Sequence, residues 1–176
     1  IYEPLIRRTA GLGKPPKEFR SKSTHVHHNV DYLIVGGGLA GLLAAKKLAA
    51  TNNDVLLIER DNNLGGILRN SNKIKSIGGQ SINGWIEQTE WLLKSSKNIK
   101  ILKNSTLTTY NYSNHLVAVE DKFVGSKPDN DKPELILHKI RTKHTILANG
   151  HIERFMSFRN NDLPGVMLAA SFEKYI

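Results

Sequence analysis

The sequence predicts an α/β fold: a mostly parallel sheet carrying helices, with a three-stranded antiparallel insert. Three observations lead there. Short, largely apolar runs recur at 30–35, 55–58 and 99–102, as expected of strands covered on both faces. Between them, apolar residues fall at helical spacing. Before a last apolar run at 144–150, three strand-like segments follow one another with no helix between them. A chain of 176 residues, 39% hydrophobic and 23% charged, has room for one domain with a real core.

The elements follow in order. Residues 1–29 hold three of the six prolines and read as an extended N-terminal arm, lying across a partner or across its own domain. His25 and His27 would share one strand face there, but no carboxylate stands close in sequence to complete a metal site. The dinucleotide-binding domain proper is expected over 30–176. Val30 to Val35 is its first strand. From Leu39 to Ala50 a helix follows, with Leu39, Leu42, Leu43, Ala45 and Ala49 toward one side and Lys46 and Lys47 toward water. Thr51 to Asp54 ends it, asparagine tolerating the left-handed backbone of a helix end. Val55 to Ile58 is a second buried strand, closing a right-handed βαβ unit. A helix from about Asn83 to Ser96 takes apolar contacts from Trp85, Ile86, Trp91, Leu92 and Leu93. Residues 99–102 form a third parallel strand. Segments 106–112, 115–121 and 134–140 are the antiparallel insert, with a Gly/Pro/Asp/Asn loop at 125–133. Residues 144–150 return as a further strand ending on glycine. There is no internal repeat.

Several classes fall away. With no cysteine, the chain itself holds no disulfide, thiolate metal site or redox dithiol. The longest apolar stretch, Leu33 to Ala45, contains four glycines and is too short to span a bilayer. No leader opens the sequence, which points to the cytoplasm. Ile1 in place of an initiator Met suggests a trimmed, cleaved or partial product. Lys and Arg outnumber Asp and Glu by 25 to 16, for a net charge of +9, yet the basic residues are scattered. A solvated surface with mild attraction for anionic cofactors fits that better than a nucleic-acid footprint.

The chemistry concentrates in Gly36-x-Gly38-x-x-Gly41, which follows a strand and opens a helix. Gly36 lets the strand turn sharply, Gly38 removes a Cβ that would block a pyrophosphate, and Gly41 lets helix and strand pack closely. The unpaired N–H groups of the helix start, from Leu39, Ala40 and Gly41, carry the positive end of its dipole and favour an anion. Glu59 ends the next strand 23 residues after Gly36, close to the ~20 expected of the carboxylate that binds ribose hydroxyls. It favours FAD or NAD over NADP, although Arg60 beside it weakens that exclusion. Gly65 and Gly66 suggest a second close approach of the ligand. The antiparallel excursion is typical of the flavoprotein fold that binds two dinucleotides, rather than of a simple dehydrogenase.

On these residues the chain resembles the α subunit of heterotetrameric sarcosine oxidase and its relatives, the α subunits of dye-linked proline and hydroxyproline dehydrogenases and the opine oxidases. The similar segments are YEPLIRRTAGLGKPP, HVHHNVDYLIVGGGLAGLLAA, LGGIL, IGGQSINGW, TLTTYNYSNHLVAVE and ILANGHIERFMSFRNNDLPGVMLA. The last is the most specific, through Glu153-Arg154, Asn161-Asp162 and Pro164-Gly165-Val166. One departure is Asn149, where the family has Thr between Ala148 and Gly150. The resemblance implies a Rossmann-like FAD/NAD(P)-binding domain that is only part of the full two-dinucleotide fold, with AASFEKYI starting a connecting helix. It implies FAD, with NAD as the alternative, held by Gly36, Gly38, Leu39, Ala40, Gly41, Glu59, Arg60, Gly65, Gly66, Leu107, Ala148, Asn149 and Gly150. Amine oxidation would occur on the flavin of a separate catalytic β subunit, so the partners are that subunit and the remainder of the α subunit, in a hetero-oligomer. No residue reads as a catalytic base or nucleophile, and none as a metal ligand. The rival reading is a non-catalytic nucleotide-binding subunit of a larger complex. A dithiol-using reductase is excluded for want of cysteine.

Overall fold

The computed structural model describes residues 9–10, 23–70, 74–122 and 135–175. Six strands make one sheet: β1 (Ser23–Val35), β2 (Val55–Ile58), β5 (Ile99–Leu102), β6 (Ser105–Asn111), β7 (His115–Asp121) and β8 (Leu135–Leu147), in the order β5-β2-β1-β8-β7-β6. The first four in that order are parallel neighbours, and β8-β7-β6 are antiparallel. Helices α1 (Leu39–Ala49) and α2 (Ile82–Ser95) cover one face. A two-stranded hairpin of β3 (Ser76–Ile77) and β4 (Gln80–Ser81) turns on Gly78 and Gly79, both at positive φ. A last short helix, α3, spans Ala169–Tyr175. This is an α/β fold of Rossmann type.

Two strands differ from expectation. β1 begins at Ser23, not Val30, so 23–29 belongs to the sheet and not to an arm; residues 1–8 and 11–22 lie outside the described residues. The expected strands at 134–140 and 144–150 are one strand, β8, which stays in register with β1 from Ser23↔Leu135 to Val35↔Leu147. The polar run Arg141-Thr142-Lys143 imitates a turn in sequence. In the fold, Thr142 is buried and its hydroxyl donates to the carbonyls of Asp31 (3.2 Å) and His144 (2.8 Å), so the strand passes through without a break. The expected 125–133 loop falls outside the described residues.

The sheet divides two cores. On the helix side Ile34, Val55 and Leu57 meet Leu42 and Ala45 of α1 and Trp85, Ile86 and Leu93 of α2. On the other side Leu33, Val35, Leu56, Ile58 and Leu102 meet Leu116, Ala118 and Ile140, so the antiparallel strands fold over the face that the helices leave bare. Full burial of each such Leu or Ile contributes about 1.5–3 kcal/mol. β1 serves both halves because its inward phase changes: Val30 and Leu33 pack into the same core although three positions apart. The change falls where Asp31 and Tyr32 both donate their N–H groups to Asp54 O, at 2.9 and 3.0 Å, as in a bulge. Leu43 and Trp91, expected to make apolar contacts, stay in water at 46% and 71% exposure.

Candidate functional site

The site is built where β1 meets α1. Gly36 leaves the strand at φ 104°, where a side chain is strained, and donates its N–H to Ile58 O at 2.8 Å. A Cβ there would lie 2.3 Å from Ala148 O, and one on Gly41 would lie 1.8 Å from Gly36 O. Both glycines are therefore demanded by the chain's own packing. Gly38 is different: nothing lies within 4 Å of a Cβ built on it. It is the N-cap of α1 and offers no capping side chain, and the first turn of α1 carries no acidic residue. The opening N–H groups at Leu39, Ala40 and Gly41 thus keep their appetite for an anion, in front of open space.

Glu59 is buried, at 8% exposure, and both carboxylate oxygens are engaged. Oε2 accepts the Gly37 N–H at 2.6 Å and Oε1 accepts the Asp61 N–H at 2.9 Å. A carboxylate has about four acceptor sites, so two remain for further donors. An exposed pair between Glu59 and Arg60 is absent; Arg60 instead lies 3.6 Å from Asp61, both largely in water. Gly65, at φ 114°, donates its N–H to Gly37 O at 2.8 Å, and a Cβ on Gly66 would stand 3.3 Å from Gly38 Cα. The loop from Glu59 to Gly66 is thereby laid against the glycine turn.

The remaining expected residues divide. Ala148 is brought in, its N–H donating to Val35 O at 2.8 Å and its carbonyl closing over Gly36. Gly150 follows at φ 67°, while Asn149 is exposed and its amide reaches only Gly150 O, at 3.5 Å. Leu107 lies on β6, which is tied to the tip of β2 by the Ser105 N–H donated to Glu59 O at 2.9 Å. Its side chain packs on the second core and not into the open space.

Two residues were not anticipated. Gly37 is one, since a Cβ would meet Leu64 Cδ2 at 2.6 Å and Glu59 Oε2 at 3.0 Å. Arg69 is the other: its Nε donates to Leu64 O at 2.5 Å, which stretches the side chain alongside Gly65. The third consecutive glycine was the signal for Gly37. For Arg69 the only signal was a basic residue shortly after Gly65-Gly66.

A second polar cluster occupies the far end of β1. His28 Nε2 lies 2.8 Å from His138 Nδ1, and His138 Nε2 lies 2.9 Å from Glu120 Oε2. Lys122 holds the other Glu120 oxygen at 2.5 Å. Burial, then the charge of Lys100, then His138 and His27 press the His28 pKa down to about 4. The two contacts link His28, His138 and Glu120 into one chain across β1, β8 and β7. Among the described residues no group of His, Asp or Glu is arranged to hold a metal ion.

The profile of the NAD(P)-binding Rossmann-like domain matches residues 34–82, which contain the glycine turn, α1, β2 and the Gly65-Gly66 loop. Sarcosine oxidase subunit alpha of Corynebacterium sp. (strain P-1) is 36% identical over 155 residues, 86% of this chain and 16% of that protein. The subunit alpha of Rhizobium meliloti (strain 1021) is 32% identical over 100% of this chain and 18% of its own length. The chain is a relative of the sarcosine oxidase α subunits. It spans less than a fifth of the length of the α subunits it matches. The L-proline dehydrogenase from P. horikoshii superposes on this α-subunit relative with a TM-score of 0.59 and 29% identity, over 85% of this chain and 28% of that one. Lactococcus lactis thioredoxin reductase shares the fold alone, with a TM-score of 0.53 and 20% identity over 76% of this chain and 39% of its own.

Proposed function

We propose that this chain is the dinucleotide-binding portion of a flavin-dependent amine or imino-acid oxidoreductase, holding FAD, with NAD as the alternative. The observation that carries the reading is Gly38: open space stands before an uncapped helix start, and a side chain there would take up the room that a phosphate needs. Leu39, Ala40 and Gly41 would hold the pyrophosphate through their N–H groups, with Gly66 behind Gly38 and Arg69 as a nearby positive charge. Glu59, fixed by Gly37 and Asp61, would accept ribose hydroxyls. When bound, the flavin supplies the two-electron acceptor, and that chemistry belongs to the cofactor.

A separate catalytic subunit and further α-subunit polypeptide would complete the assembly, in the cytoplasm. Ile152, Phe155, Met156, Phe158, Leu163 and Phe172, all exposed, offer apolar surface for such contacts. No helix among the described residues is long and apolar enough to cross a membrane. The test is an absorption spectrum of purified protein with mass analysis of the released cofactor. A flavin spectrum that bleaches with an amino-acid substrate, in the presence of the partner subunit, supports the reading. Colourless protein that releases only NAD or another adenine nucleotide, with no turnover in the complex, replaces it with a structural nucleotide-binding subunit.

A further inference from the structure

We propose that the outer face of β1-β8-β7, at the end of the sheet remote from the glycine turn, docks an acidic protein surface with an apolar flank. The inference is independent of which dinucleotide is bound. Register places the side chains. His25, Leu137 and Val119 lie in one row, His27, Lys139 and Val117 in the next, and Asn29, Arg141 and His115 in the third. The His, Lys, Arg and Asn members are exposed, and Val117, Val119 and Leu137 are half-buried beside them. The apolar members Leu137, Val119 and Val117 form one corner of this patch, with Lys139 at its centre and the other exposed members along two sides; the three rows hold no carboxylate, and Asp121 stands in the next row, with Leu135 and Ser23.

Charge says who could cover it. One position further along the same face, Lys143 is neutralised within the chain by Asp31, Nζ to Oδ1 2.6 Å. That hydrogen bond, with the Asp54 N–H on the other oxygen, holds the Asp31 carboxyl below its usual range. Among the described residues no ion pair does this for Lys139 or Arg141. Of the two acids of β7, Glu120 points to the opposite face and is taken by His138 and Lys122, and Asp121 sits opposite Leu135, one row beyond Val119 and Leu137. With 25 Lys and Arg against 16 Asp and Glu, the chain has more basic groups than acids to pair with them, and the complement proposed for this face is another molecule's. The apolar corner selects among anionic partners: a phosphodiester backbone has nothing to set against Val117, Val119 and Leu137, whereas a protein surface does.

The experiment uses the full chain and defined probes at physiological salt: a glutamate–tyrosine copolymer, duplex DNA, and phosphatidylserine vesicles. Backbone amide shifts locate binding, and titration gives affinity for wild type and for the Lys139→Glu/Arg141→Glu double variant. The copolymer should shift the amides of Val117, Val119 and Leu137, and the double variant should bind it about tenfold more weakly or worse. Should charge reversal disturb the melt, Lys139→Gln/Arg141→Gln replaces it, with at least threefold weakening expected on the order of one lost surface charge pair per site. Equal copolymer binding by variant and wild type, or shifts confined to other surfaces, overturns the docking face. DNA or vesicles shifting the same amides more strongly than the copolymer assigns the face to nucleic acid or membrane instead.

Discussion

The two ends of β1 handle polar groups in opposite ways. At the carboxyl end, side chains are removed: Gly36, Gly37 and Gly41 let the chain pack closely on itself, and Gly38 leaves open space before the uncapped start of α1. At the amino end they are added, and His28, His138, Glu120 and Lys122 satisfy one another across three strands. Within the glycine end there is a second contrast. Gly36 and Gly41 are needed by the chain's own packing, whereas nothing among the described residues crowds Gly38. A group of glycines that looks uniform in sequence therefore separates into residues that the packing requires and one that it does not.

The largest effect should come from breaking the first kind. Gly41→Val drives a branched side chain into Gly36 O and should cost more than about 4 kcal/mol, so that circular dichroism finds no cooperative melt. Gly38→Val should keep the melt to within about 1 kcal/mol and abolish dinucleotide binding in a titration; full cofactor occupancy in that variant would remove the phosphate assignment.

Glu59→Gln should weaken FAD or NAD roughly 10- to 150-fold, and should weaken a 2′-phosphorylated nucleotide less, because a repulsive charge disappears. It also turns an amide NH2 toward either the Gly37 or the Asp61 N–H, at a cost of about 1–3 kcal/mol in stability. Equal losses for both nucleotide types would leave Glu59 as a brace only.

The amino end gives the smallest effect and a sign. The folded-state pKa of His28, about 4, lies below its ordinary 6.5. Between those values the unfolded chain binds the extra proton, so stability is highest above pH 6.5 and is lost as pH falls toward 4. With allowance for the part of the ring that water reaches, the loss is on the order of 1–2 kcal/mol. Thermal melts from pH 7 to 4 should show it, and His28→Gln should flatten the slope.

How much was legible in the sequence follows distance along the chain. The βαβ unit, the turn and the acid at the tip of β2 were readable because periodicity and glycine spacing act within some thirty residues. The full length of β1 was not. Its first half is a strand only because β8 lies beside it, and the bonded pair His28 and His138 stand 110 positions apart. Polar residues there read as punctuation, since a buried histidine and an exposed one look alike until a neighbouring strand is known. Leu107 and Asn149 were placed by resemblance. The Leu107 side chain goes to the core and the Asn149 amide to its own backbone, so for these two the family pattern exceeded what the local geometry displays.

The unbroken pairing of β1 with β8 also sets how this stretch can change in evolution. Successive strand residues face opposite ways, so losing or gaining one residue between Ser23 and Val30 would turn every side chain before it to the other side. His28 would surface, and His25 and His27 would enter the core. Substitution at single positions is open to this segment, but its length is not, and relatives with the same two cores should keep the spacing from Ser23 to Gly36 free of insertions and deletions.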